Sequence, residues 1–149
     1  EYAAWVKPFL ALRGIDNPDE ALLQKAILGV RERARTLVDA AHDLDFYFRE
    51  PPELDEKARQ KFLTPAAAPH LRALREVVDG VATWQAEPLE AAFKTWVESS
   101  GLTMKDVAQP ARVALTGRTA SPPLFDVMAV LGKAQSLARL ARAAEIAQG

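Results

Sequence analysis

Apolar residues recur at steps of three and four along nearly the whole chain. No stretch sustains the period of two that a half-buried strand needs. The clearest run is Val30, Ala34, Leu37, Ala41, Leu44 and Phe48, and its spacing predicts one long helix over residues 28–48. Proline-bearing segments then cut the chain, because proline cannot continue a helix and biases the residue before it towards extended backbone. Two such segments are "REPPELD" and "LTPAAAPH". The pattern predicts an all-α fold of two small helical bundles in series. The second break is the expected boundary, giving subdomains 1–64 and 65–149.

The remaining helices carry their own punctuation. Trp5, Phe9 and Leu12 share a face over residues 2–12, and Gly14 closes that segment. In "DNPDEALL", Asn17 is a cap candidate, Pro18 suits the first turn and Glu20 follows three residues after the cap. Asp55 is placed to cap a short helix through Phe62. Leu71, Leu74, Val77, Val78 and Val81 mark a helix over 70–81. Glu87 and Pro88 open another, ending near Gly101. Residues 104–116 read as helical with an interruption at Pro110. Ser121 is a cap candidate for a helix that takes Pro122 in its first turn and stops at Gly132. Leu137, Leu140 and Ala144 mark the last helix.

Composition excludes several kinds of chemistry. There is no cysteine, so disulfides, thiolate nucleophiles and thiolate zinc sites are ruled out. This fits a cytoplasmic protein. No apolar run approaches the ~20 residues that span a bilayer, and no membrane partner is expected. His42 and His70 have no second histidine at ligand spacing, and no metal site is expected. Ser99, Ser100, Ser121 and Ser136 lack a nucleophile signature. Asp43 and Asp45, two apart on a helix, point to different faces. No catalytic constellation emerges. The chain opens on Glu1, inside a helical pattern, and reads as a fragment of a longer protein. The formal net charge of -1 by itself predicts no nucleic-acid partner. It conceals an asymmetry: residues 102–149 carry Lys105, Arg112, Arg118, Lys133, Arg139 and Arg142 against Asp106, Asp126 and Glu145.

Two stretches could make contacts. In "RERARTL", Arg31 and Arg35 lie four apart on one face of the expected long helix, with Arg33 between them. They are either a solvated charged face with Glu32 pairing locally, or guanidiniums aimed at a polynucleotide. In "QPARVALTGRTASPPLFDVM", Arg112 and Arg118 flank a turn, and Leu124 and Phe125 follow two prolines at a helix start. A helix N-terminus favours anions. Leu124 and Phe125 either staple that helix down or offer unpaired bases a stacking platform.

"VAQPARVALTGRTASPPLFDVMAVLGKAQSLARLARA" resembles the C-terminal anticodon-binding region of bacterial glutamyl-tRNA synthetase. That family typically reads Q-P-L-R-V-A-L-T-G, a short loop, [ST]-P-G-L-F, then L-G-K/R and a run ending in R-L. "VRERARTLVDAAHDLDFYFRE" is similar to the family's upstream helix. Ala111 replaces the usual Leu, and Pro123 stands where Gly is common. The resemblance implies an all-α cage around the anticodon loop of a glutamate-specific tRNA. It implies that Arg112 contacts anticodon bases, and that Ser121, Pro122, Leu124 and Phe125 form the corner on which they pack. Arg118 is a secondary candidate. It further implies that an arginine of "RERARTL" reads the third anticodon base; Arg35 is favoured, with Arg31 and Arg33 as neighbours. Cytosine there offers O2 and N3 as acceptors, whereas guanine, the base of glutamine tRNA, presents N–H donors. The enzyme so implied uses ATP and Mg²⁺ in an N-terminal catalytic domain whose HIGH-like and KMSKS-like motifs do not occur here. The chain itself is expected to hold no cofactor, to act as a monomer and to be inactive alone. The alternative is a non-catalytic all-α protein–protein interaction domain that uses the Phe125 corner as an apolar anchor.

Overall fold

The computed structural model describes residues 2–49 and 52–149. Glu1, Glu50 and Pro51 lie outside the described residues, and with them the expected start and the middle of the "REPPELD" break. All regular structure among the described residues is helical: α1 (Tyr2–Ala11), α2 (Glu20–Val30), α3 (Leu37–Phe48), α4 (Glu56–Phe62), α5 (Ala68–Asp79), α6 (Ala86–Ser100), α7 (Met104–Thr116), α8 (Leu124–Leu131) and α9 (Lys133–Gln148). Contacts group the chain into two compact units, Glu1–Glu53 and Leu54–Gly149. The division expected after residue 64 would have left α4 in the first unit. Instead α4 packs on α7.

In the first unit, α1, α2 and α3 pack on one another. Helix α1 buries Ala3, Val6 and Leu10. It ends as expected at Gly14, whose φ of 86° lies in the left-handed region. Gly14 N–H donates to the Ala11 carbonyl and Ile15 N–H to the Leu10 carbonyl, each at 3.0 Å. This pairing satisfies carbonyls that a helix end leaves without partners. The cap of α2 is Asp19, not Asn17: its carboxylate accepts from Leu22 N–H at 2.9 Å.

The helix expected over residues 28–48 is two helices. Helix α2 stops at Val30, and residues 31–36 form a turn. Thr36 then restarts the chain as the N-cap of α3, its Oγ1 accepting from Asp39 N–H at 3.0 Å. A threonine cap with an acidic residue three positions later outcompetes continuation, because it satisfies an amide that a helix start leaves open. Asp45, expected only to diverge from Asp43, is buried. It accepts from Arg13 Nε at 2.7 Å and from Arg49 Nε and Nη2. Arg49 Nη2 also donates to the Arg13 carbonyl at 2.7 Å. One carboxylate thus pins the end of α1 to the end of α3.

In the second unit α7 is the central element, touching α4, α5, α8 and α9. Its second half is buried on most sides through Pro110, Ala111, Val113, Ala114, Leu115 and Thr116. The helix runs unbroken through Pro110, where an interruption was expected. Packing on several sides overrides the local cost of a missing N–H. Asp55 caps α4 as expected, accepting from Ala58 N–H at 3.0 Å. Helix α6 ends at Gly101, with φ 73°.

Candidate nucleic-acid interface

The second unit gathers six of the nine candidate residues at one corner, where α7 ends and α8 begins. Gly117 closes α7 in the left-handed region, φ 78°, and donates to the Val113 carbonyl at 2.8 Å. The chain then turns through residues 118–123, and α8 starts at Leu124. Arg112 sits one turn before the end of α7, partly exposed. Its Nε donates to Ser121 Oγ at 3.0 Å, and Ser121 Oγ donates to the Pro122 carbonyl at 2.7 Å. Ser121 is therefore a brace for Arg112. It does not cap α8, whose N-cap position is Pro123, without a side-chain hydrogen bond. Two consecutive prolines delay the helix beyond the expected start at Pro122. Arg118 is also partly exposed, while Pro122 is buried and Pro123 exposed.

Leu124 and Phe125 turn inwards, at 5% and 9% exposure. The Phe125 ring packs on Phe93 with centroids 5.2 Å apart and planes tilted by 53°. Such tilted pairs are favourable beyond the area they bury. Phe125 thus closes the core between α6 and α8, as a staple would. In this conformation its face is filled, so neither unpaired bases nor a protein partner find an open aromatic platform there.

Three residues that sequence reasoning missed hold the corner in shape. Thr116, 1% exposed, lies between Arg112 and Arg118. Its hydroxyl proton has two carbonyls in reach, Arg112 at 2.8 Å and Arg118 at 3.2 Å, and its oxygen accepts from Arg118 N–H at 3.0 Å. Arg139 of α9, 4% exposed, donates through Nη1 to the Leu115 carbonyl at 2.7 Å. A cation there also complements the negative end of α7. Asp55 N–H donates to the Gly117 carbonyl at 2.8 Å. The "LTG" order carried a usable signal for Thr116, since a threonine at a helix end can bond the carbonyl four residues back. Arg139 and Asp55 reach the corner from distant positions that no local pattern reveals.

The other three candidates, Arg31, Arg33 and Arg35, lie together in the first unit, in the turn between α2 and α3. All three are exposed. Arg31 takes the C-cap of α2, its N–H donating to the Ile27 carbonyl at 2.9 Å. Arg35 immediately precedes the Thr36 cap. They do not share a helix face, because the helix that would have aligned them ends at Val30. Among the described residues none of the three makes an ion pair, so the expected local pairing with Glu32 is not formed.

Residues 1–144 match the family described as anticodon binding domain. The chain belongs to the anticodon binding domain family. Relatives of this anticodon binding domain include "Glutamate--tRNA ligase 1" of Syntrophus aciditrophicus, 40% identical over 137 residues. That match covers 92% of this chain and 29% of the relative. The "Glutamate--tRNA ligase" of Rhodopseudomonas palustris strain TIE-1 is 45% identical over 127 residues, covering 85% of this chain and 27% of the relative. Among solved structures, a glutamate tRNA ligase from Elizabethkingia meningosepticum, in complex with its amino acid, superposes with a TM-score of 0.80 at 30% identity. It covers 97% of this chain and 28% of that one. The domain thus spans less than a third of the length of each of these proteins.

Proposed function

We propose that this anticodon binding domain is the tRNA-reading part of a glutamate–tRNA ligase acting in the cytoplasm. The observation that carries the reading is the corner at the end of α7. There Arg112, its guanidinium braced by Ser121, and Arg118, its backbone N–H tied to Thr116, flank the loop that leads to the uncapped start of α8. A guanidinium held like that of Arg112 suits phosphates and base edges, and a helix start suits anions. The turn carrying Arg31, Arg33 and Arg35 supplies exposed cations of the same kind, of which Arg35 is proposed to read the third anticodon base. The anticodon bases pack on the outer surface of the loop, at Pro123 and the exposed edges around it, while Leu124 and Phe125 support that surface from beneath.

Joining glutamate to tRNA would need ATP and Mg²⁺. Among the described residues no group of three or more His, Cys, Asp or Glu side chains is placed to hold a metal. That chemistry belongs to the rest of the ligase polypeptide. This domain supplies binding and selection. The protein–protein alternative loses its anchor, since Phe125 is occupied by Phe93.

The test is binding of a glutamate tRNA transcript and of a glutamine tRNA transcript at several salt concentrations. Tighter binding of the first, with affinity falling steeply as salt rises, is the expected result. Equal affinity for both at every salt concentration overturns the reading.

A further inference from the structure

We infer that Thr116 is the positioning residue of the anticodon corner, setting the separation and orientation of Arg112 and Arg118. The inference rests on the tRNA reading above. Thr116 is 1% exposed, so its side chain has no access to a ligand. Among the described residues its hydroxyl nevertheless hydrogen-bonds only to backbone groups of the two arginines assigned to RNA contact. One is the Arg112 carbonyl inside the helix, and the others are the N–H and carbonyl of Arg118 beyond it. The helix ends between them at Gly117, where the backbone reverses in the left-handed region. An ordinary helix end leaves the next residues to find partners in water. Here one buried hydroxyl couples the last turn of α7 to the first residue of the loop. The backbone positions from which the two arginine side chains extend are then set by the protein before RNA arrives, which lowers the ordering cost of binding.

Valine matches threonine in shape but cannot make these bonds, while serine keeps the hydroxyl. Affinity of the 149-residue chain is measured for a glutamate tRNA transcript and for the same transcript with its anticodon replaced. Thr116→Val is expected to weaken binding of the first by roughly tenfold, the scale of losing one or two such bonds, and the second much less. The ratio between transcripts therefore shrinks. Thr116→Ser is expected to keep the wild-type ratio within about twofold. Exchange of the Arg118 amide proton is expected to quicken in the valine variant and not in the serine variant.

Leu74→Ala, in the α5 core, serves as a control that lowers stability without touching the corner, and is expected to leave the ratio unchanged. If valine disrupts packing, Thr116→Ala is read in the same way. A valine or alanine variant that separates the transcripts as well as wild type overturns the role of Thr116 alone. A wild-type chain that does not separate them overturns the tRNA reading as well.

Discussion

At Phe125, burial decides what the side chain does. A ring at 9% exposure, tilted against Phe93, belongs to the core, although the family resemblance implied that anticodon bases pack on it. Phe125→Ala is expected to cost about 3–5 kcal/mol, the range for removing a buried phenylalanine. Denaturant unfolding followed at the second unit checks this. Under conditions where the variant stays folded, tRNA affinity should change little, and a loss of affinity without a loss of stability would reverse the assignment. Arg35 stands on the opposite footing, because it is exposed and makes no ion pair among the described residues. Arg35→Gln keeps a hydrogen-bonding group but loses the charge and the forked donors. It is expected to narrow the preference for cytosine over guanine at the third anticodon position by roughly 1–3 kcal/mol, the scale of one bidentate base contact. Affinities of both tRNAs at one fixed salt concentration test it. If Arg31→Gln or Arg33→Gln narrows the preference instead, the turn is right and the residue is wrong.

Among the helices, the break between α2 and α3 has the largest consequence. Thr36→Ala removes the cap and is expected to cost about 1 kcal/mol. It also loosens the turn that presents the three arginines, so faster amide exchange at the start of α3 should accompany the loss. The sequence made most of the helices legible, since their apolar stripes, Asp55 and the stop signals at Gly14 and Gly101 are local features; in α1 the stripe Trp5, Phe9 and Leu12 misled, because Ala3, Val6 and Leu10 face the core while Trp5 and Leu12 are exposed. It misled at residues 31–36, where apolar spacing continues in register across the gap and hides the Thr36–Asp39 cap. It also misled at Pro110, where burial of α7 overrode a local breaker. The Arg13–Asp45–Arg49 cluster was illegible, because its members lie as much as 36 positions apart. Burial pushes the Asp45 carboxyl up, but hydrogen bonds from Arg49 and Arg13 outweigh that and hold it below its ordinary value. A depressed carboxylate stabilises the fold above the unfolded-state value of about 3.9, and that contribution fades as pH falls through the folded value. Asp45→Asn is therefore expected to cost about 2 kcal/mol near neutrality, the scale of hydrogen bonds to a charged group. The difference from wild type should shrink below pH ~4. Hydrogen exchange at α3 amides, measured across that range, follows it.

For the molecule as a whole, the proposed division of labour makes a negative expectation. Glutamate-dependent exchange of pyrophosphate into ATP should be undetectable with the purified chain, and activity there would overturn the assignment of chemistry to the rest of the polypeptide. The bond from Asp55 N–H to the Gly117 carbonyl bears on how this protein can be dissected. The amide that steadies the corner comes from the second residue of the second unit, more than sixty positions earlier in the chain. The same residue's carboxylate starts α4. A gene fragment beginning at Leu54 keeps both groups, and one beginning at Lys57 loses both. The shorter fragment should melt roughly 10 °C lower, as expected for about 2 kcal/mol in a domain of this size. Asp55→Ala in the longer fragment, which removes the carboxylate but keeps the amide, should fall between the two. The safe place to cut is therefore set by a contact with a residue distant in sequence, and a protease trimming the chain past Asp55 residue by residue is expected to loosen the corner without touching any of its arginines.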